Sequence, residues 1–266
     1  MATVTVADAR VHYERTGQGD SRPALVLVHG TGSGGADVNW SQTVPAFAGD
    51  RTVITPDLSG TERTTDAGAP LTVEGLAAQV IAVIEDAEGG RPVDLLGFSL
   101  GAPVAMAVAA LRPGLVRRLI LLAGWAHTDG DEYLRNSFRL WRELGEHAPA
   151  AAFGRFVTLT GFSRGFLNAI GREQVEQLFA NMPPTEGTLR HVDLDLRVDV
   201  RALLPRIQAR TLVIGAVQDV CVPVEHSRAL HAAIAGSEYA ELDAGHVAFA
   251  ERPGEFAKLM DEFTAG

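Results

Sequence analysis

The chain is nearly devoid of cysteine, with one in 266 residues, Cys221. An internal disulfide is therefore excluded, and so is a cysteine-based zinc site. Basic residues are outnumbered, 23 Lys and Arg against 33 Asp and Glu, for a net charge of −10. A surface that binds nucleic acid needs a basic patch to neutralise phosphates, so that class of partner is not expected. Long apolar runs are missing too. None approaches the ~18 consecutive residues of a membrane-spanning helix. The opening stretch MATVTVADARVHY alternates like a strand and lacks a basic segment followed by an apolar run, so it does not read as a signal peptide. A cytoplasmic protein is the expectation, with no membrane partner. Internal repeats and low-complexity tracts are also lacking.

What is present is ordinary globular material: 46% hydrophobic and 21% charged residues, enough for a sizeable core. Compact apolar, β-branched runs at residues 24–28, 52–55, 93–97, 119–123 and 211–215 read as strands buried on both faces, as a parallel sheet requires. A hairpin over residues 3–6 and 9–14 precedes them. Helical patterns at 73–88 and 102–112 lie between strands, the second stopped by Pro113-Gly114. This alternation is the signature of an α/β fold. It breaks over residues 125–205, a stretch of about 80 residues without strand signals, too long for an ordinary connection. Aromatics gather there: Phe138, Trp141, Phe153, Phe156, Phe162, Phe166 and Phe179. An inserted helical subdomain is expected, with residues 1–124 and 206–266 forming the α/β core. The rhythm resumes with a strand at 211–215, a helix at 224–235, a weak strand at 238–242 and a closing helix at 253–263.

Two stretches fit Gly-x-Ser-x-Gly, GFSLG at 97–101 and GFSRG at 161–165. In a nucleophile elbow the serine sits in a strained turn between a buried strand and a helix, and the flanking glycines let strand and helix pack closely. Ser99 has the strand before it and an alanine-rich helix after it. Ser163 fits less well. Residues 156–160 can pass for a strand and 166–179 for a helix, but only two strands would follow, and Arg164 takes a position suited to a small or apolar residue. A turn between helices is the better reading of Ser163.

Chemistry at a serine needs a base, a group that orients the base, and donors for an oxyanion. His246 follows a glycine at the expected end of the last strand. Asp219, after the strand at 211–215, is the candidate acid, with Asp129 and Asp131 as alternatives and Asp243 as a local turn carboxylate. The loop HGTGSGG at 29–35 follows the strand at 24–28 and can aim backbone N–H groups into a site; it lacks the Gly-Lys-Ser/Thr of a phosphate loop. The N–H groups of Thr31 and Leu100 are the expected oxyanion donors. Gly30, Phe98, Trp125, Phe138, Trp141 and Phe162 are the expected substrate contacts, although the aromatics among them would serve equally as the insertion's own core. Cys221 lacks an elbow and reads as a buried thiol.

With His29-Gly30, the 97–101 elbow, Asp219 and Gly245-His246 in that order, the sequence resembles the α/β-hydrolase fold superfamily across nearly its whole length. The resemblance implies a mostly parallel sheet flanked by helices, with residues 125–205 as a helical cap over the active site. A serine at the elbow disfavours the branches that attack with a carboxylate. The expected function is hydrolysis of an apolar or aromatic ester, lactone or thioester through an acyl-enzyme on Ser99. Carbon–carbon bond hydrolysis, non-hydrolytic chemistry on the same fold (cofactor-free oxygenation, lyase or cyclase) and a receptor-like ligand-binding protein are the alternatives. No metal or organic cofactor is implied, and a homodimer is compatible with the sequence. One departure stands out. The family's Asp-x-x-Gly-x-Gly-x-Ser stretch is here DLSGTERT at 57–64, so the substrate does not carry over by analogy.

Overall fold

In the computed structural model, which describes residues 2–180 and 183–265, eight strands form one sheet. Their order is β1-β2-β4-β3-β5-β6-β7-β8. Strands β1 (Ala2–Val6) and β2 (Ala9–Asp20) make the opening hairpin, and β2 lies antiparallel to β4 (Arg51–Pro56). From there the pairing is parallel through β3 (Leu25–Val28), β5 (Val93–Phe98), β6 (Val116–Leu122), β7 (Arg210–Ala216) and β8 (Glu238–Leu242).

The apolar runs fold this way because a strand sends successive side chains to opposite faces. On one face Val26, Val28, Ile54, Leu95, Leu119, Leu121 and Val213 pack under α3 (Val73–Glu88) and α4 (Gly101–Leu111). On the other, Leu25, Leu27, Val53, Leu96, Ile120 and Ile214 meet α1 (Gly35–Trp40), α2 (Val44–Phe47), and the helices α11 (Ala248–Glu251) and α12 (Pro253–Thr264). Helix α10 (Val224–Ala233) connects β7 to β8. Helix α4 is apolar all round and its first ten residues are buried, as a helix wedged between sheet and neighbours must be.

Among the described residues, five α-helices lie between β6 and β7: α5 (Glu132–His147), α6 (Ala150–Gly161), α7 (Arg164–Ile170), α8 (Arg172–Ala180) and α9 (Glu186–Asp195). Asp131 caps α5 by accepting from the Leu134 N–H at 2.8 Å. The strand-like run at 156–160 lies inside α6. Thr160 there satisfies its hydroxyl by donating back to the Phe156 carbonyl at 2.9 Å. The single helix expected at 166–179 is two, broken at Gly171, whose φ of 82° no continuing helix adopts. The second strand also runs longer than expected. Beyond residue 14 it carries Gly17 and Gly19, whose lack of a side chain lets β2 press against the backbone of residues 48–51.

Candidate active site

The strands that carry the site all end at one edge of the sheet: β3 before His29, β5 before Ser99, β7 before Asp219 and β8 before His246. Loops at the C-terminal edge of a parallel sheet are where such folds bind ligands.

Ser99 has a φ of +52°, a left-handed conformation costly for a residue with a Cβ. Its neighbours show why glycine flanks it. A Cβ on Gly97 would meet the Gly101 carbonyl oxygen at 2.1 Å, and one on Gly101 would meet the Val28 oxygen at 2.4 Å. The strained turn is thus held by backbone packed on backbone. Ser99 Oγ lies 2.9 Å from His246 Nε2, and His246 Nδ1 lies 2.7 Å from Asp219 Oδ2. The other Asp219 oxygen accepts from the N–H groups of Cys221 (2.8 Å) and Val222 (2.9 Å), which fixes the carboxylate in its turn. All three side chains are buried. Burial opposes a charge on His246, but the Asp219 carboxylate outweighs burial and holds the imidazole well above the ordinary histidine value. Burial raises the Cys221 thiol, which stays protonated beside the ring.

The other candidate acids are engaged elsewhere. Asp131 caps α5 and faces His226 at 3.2 Å, Asp129 pairs with Arg135, and Asp243 accepts from Gln218. Ser163 caps α7 with an unstrained backbone and is hydrogen-bonded to Glu251, not to a histidine.

Gly30 packs against the elbow: a Cβ there would lie 2.9 Å from Ser99 Cβ. His29 is fully buried, and burial lowers its pKa. The neutral ring can donate from Nδ1 to the Gly30 carbonyl at 2.7 Å and accept the Leu58 N–H at Nε2 at 3.1 Å, so it fixes the loop's course. Among the described residues no protein group engages the Thr31 or Leu100 backbone N–H. Phe98 lies beside His246, ring centroids 4.9 Å apart. The other aromatics named as substrate contacts also meet further rings. Trp125, Phe138, Trp141 and Phe156 pack ring against ring inside the apolar core. Phe162 stacks on Phe166 and borders a cavity of about 490 Å³ whose walls include neither Ser99 nor His246.

Sequence reasoning missed a second set of residues, on α9. Thr188, His191 and Asp195 share one helical face and bind three successive residues of the 29–35 loop. Thr188 Oγ1 accepts the Ser33 N–H at 3.2 Å, His191 Nδ1 accepts the Gly32 N–H at 3.1 Å, and Asp195 Oδ2 takes the Thr31 hydroxyl at 2.7 Å. His191 also donates from Nε2 to the Ser59 carbonyl at 2.7 Å, which requires a neutral ring. Burial, with His29 nearby, lowers its pKa to about 3. Gly60 and Gly187 meet backbone to backbone at this contact, so the departure at 57–64 is where the insertion seats. A spacing of three and four polar residues was the only available signal, and solvated helix faces show it as well. No group of three or more His, Cys, Asp or Glu among the described residues could hold a metal ion, and no helix among them is long and apolar enough to cross a membrane.

A family-wide sequence profile described as the alpha/beta hydrolase fold matches residues 23–253. The chain belongs to the α/β-hydrolase fold family. This α/β-hydrolase is 42% identical over 266 residues to the pyrrolizixenacetamide deacetylase of Xenorhabdus hominickii, covering 99% of this chain and 97% of that one. It also superposes on the enol-lactonase of Burkholderia xenovorans LB400 with a TM-score of 0.85 at 23% identity, covering 100% of both chains. The esterase EaEST of Exiguobacterium antarcticum gives 0.85 at 19% identity, covering 99% of each. Those two likenesses concern the fold alone. The deacetylase and the family profile place this protein among the hydrolases.

Proposed function

We propose that this hydrolase cleaves a carboxylic acyl compound, an ester or an amide, through an acyl-enzyme on Ser99. The observation that carries the reading is the continuous relay from Ser99 Oγ to His246 Nε2 (2.9 Å) and from His246 Nδ1 to Asp219 Oδ2 (2.7 Å), set on a strained elbow.

Ser99 Oγ attacks the carbonyl carbon while His246 takes its proton. The oxygen becomes an oxyanion, received by the backbone N–H groups of Thr31 and Leu100. A donor of this kind is typically worth about 3–4 kcal/mol of barrier. The tetrahedral species collapses, the bond to the leaving oxygen or nitrogen breaks, and His246 returns the proton to that atom. Water then attacks the acyl-enzyme with His246 again as base, releasing the acid and restoring Ser99. Asp219 orients the ring and balances its charge; the proton stays on the imidazole.

The helices at 132–195 act as a cap over this site, with α9 fastened to the loop that carries Thr31. The relative named as the deacetylase of an acetamide favours a short acyl group. Phe98 and Leu100, both buried, favour an apolar one. The test is turnover of p-nitrophenyl acetate by wild type, Ser99→Ala and His246→Ala. Turnover that vanishes in both variants supports the reading; turnover that survives Ser99→Ala removes the acyl-enzyme from it.

A further inference from the structure

The loop that carries Thr31 has little stiffness of its own. Four of residues 30–35 are glycine. Gly32 has a φ of 134°, and a Cβ on it would meet nothing within 4 Å. Glycine serves there for backbone freedom, not for close packing. Such a loop keeps one geometry only when its groups are held from outside. His29 holds the Gly30 carbonyl at 2.7 Å. The Thr31 N–H belongs to the same peptide plane and points to its opposite side.

The other holds come from the inserted helix α9. His191 accepts the Gly32 N–H at 3.1 Å, and Asp195 Oδ2 meets the Thr31 hydroxyl at 2.7 Å. Asp195 is itself fixed through its backbone. Trp125 Nε1 donates to the Thr128 hydroxyl at 3.0 Å, and that hydroxyl donates to the Asp195 carbonyl at 2.6 Å. Docking of α9 does not call for a carboxyl at this position. Val192 and Leu194 are buried in the apolar core, and Arg190 binds Asp66 through two hydrogen bonds of 3.0 Å. A wholly buried carboxyl is unfavourable without partners. Among the described residues the Thr31 hydroxyl is the one hydrogen-bond partner of this side chain.

We propose that Asp195 is a positioning residue of the oxyanion hole, fixing Thr31 from the inserted helix so that its N–H meets the oxygen of the acyl group under attack. This rests on the acyl-enzyme reading of Ser99. Thr31 follows Gly30, whose Cβ, if it had one, would lie 2.9 Å from Ser99 Cβ. A small rotation of the Thr31 peptide therefore redirects an N–H beside the elbow, and a donor acts only when aimed where the charge develops. Burial raises the Asp195 pKa to about 8, so at neutral pH the carboxyl sets no negative charge beside the oxyanion. Its neutral form keeps the contact, since the Thr31 hydroxyl both donates and accepts. Asp195 transfers no proton and touches no reacting atom.

The test measures kcat/KM for p-nitrophenyl acetate and the affinity for phenyl trifluoromethyl ketone. Ser99 Oγ adds to the ketone carbon, His246 takes the proton, and the oxyanion that remains needs the same hole. Asp195→Leu, assayed where circular dichroism shows it folded, loses kcat/KM on the order of 10–100-fold. Its ketone affinity falls in parallel, as for any group that acts on the transition state. Asp195→Asn, neutral and still able to bond Thr31, stays within a few-fold of wild type in both readouts. Thr31→Val keeps the N–H but removes the hydroxyl, and it shows the loss seen in Asp195→Leu. The double variant Thr31→Val/Asp195→Leu loses little beyond either single one. A folded Asp195→Leu protein that matches wild type overturns the proposal, as do losses that multiply in the double variant. Should Asp195→Leu fail to fold, Thr31→Val decides, and its full activity overturns the role. A wild type that neither turns over the ester nor binds the ketone overturns the Ser99 reading, and this role with it.

Discussion

Ser163 and Glu251 form a buried pair: the serine hydroxyl donates to Oε2 and its backbone N–H to Oε1, each at 2.6 Å. The same Oε1 accepts the Gly245 N–H at 3.2 Å, and the Val247 N–H donates to the Gly161 carbonyl at 3.0 Å. The second GFSxG stretch therefore ties the helical insertion to the loop that carries His246. Replacing Ser163 by alanine leaves a buried carboxylate short of one donor. The expected cost is about 1–3 kcal/mol of stability, read from urea unfolding, with p-nitrophenyl acetate turnover retained. A loss of turnover as deep as that of Ser99→Ala would show that Ser163 has a chemical role.

Gly101 tests the elbow itself. An added methyl would lie 2.4 Å from the Val28 carbonyl oxygen and 2.7 Å from that of His29, both backbone atoms. Neither can move aside as a side chain would. Gly101→Ala should cost about 1–3 kcal/mol through overpacking and shift Ser99 enough to lower kcat/KM on the order of 100-fold. Full activity in a stable Gly101→Ala protein would contradict the close packing.

His246 sets the pH dependence. The base must be neutral to accept the Ser99 proton. Burial lowers its pKa, but Asp219 raises it by more, so the folded value lies well above 6.5. The rate of acylation should therefore climb as pH rises through a midpoint above 6.5, and Asp219→Asn should move that midpoint down while lowering kcat on the order of 10³–10⁴-fold. A midpoint that stays in place in Asp219→Asn would mean that the carboxylate does not hold the ring.

Asp195 gives a stability signature independent of turnover. Its folded pKa of about 8 lies far above the ordinary aspartate value of 3.8. The folded chain then keeps a proton that the unfolded chain releases, so wild-type stability declines as pH rises from about 4 towards 8. Asp195→Asn carries no such proton. Between pH 5 and pH 8 its unfolding free energy should gain about 2–4 kcal/mol on wild type. Parallel pH profiles would contradict a buried, proton-retaining Asp195.

How far the sequence could be read depended on whether a residue's role was local. Buried strands announce themselves because both faces are apolar, as at Leu25–Val28 and Val93–Phe98. The elbow is equally local, since strand, glycines and helix are contiguous. Chain order then brought Asp219 and His246 together with Ser99 at strand ends. Residues whose partners are distant in the chain were not legible. Asp195 meets Thr31 across 164 positions, and His191 meets Gly32 across 159; on α9 both look like ordinary solvated side chains. The aromatics of the insertion were legible as apolar mass only. Which rings an aromatic meets depends on packing, and Phe138 packs against both Trp125 and Trp141.

An activated Ser99 must react with an electrophilic probe. Labelling with a fluorophosphonate probe, followed by peptide mass spectrometry, tests it most directly. One adduct is expected, on the peptide carrying Ser99, formed by wild type and by Ser163→Ala and lost in His246→Ala. A folded protein that takes up no label, or takes it up at Ser163, would contradict it.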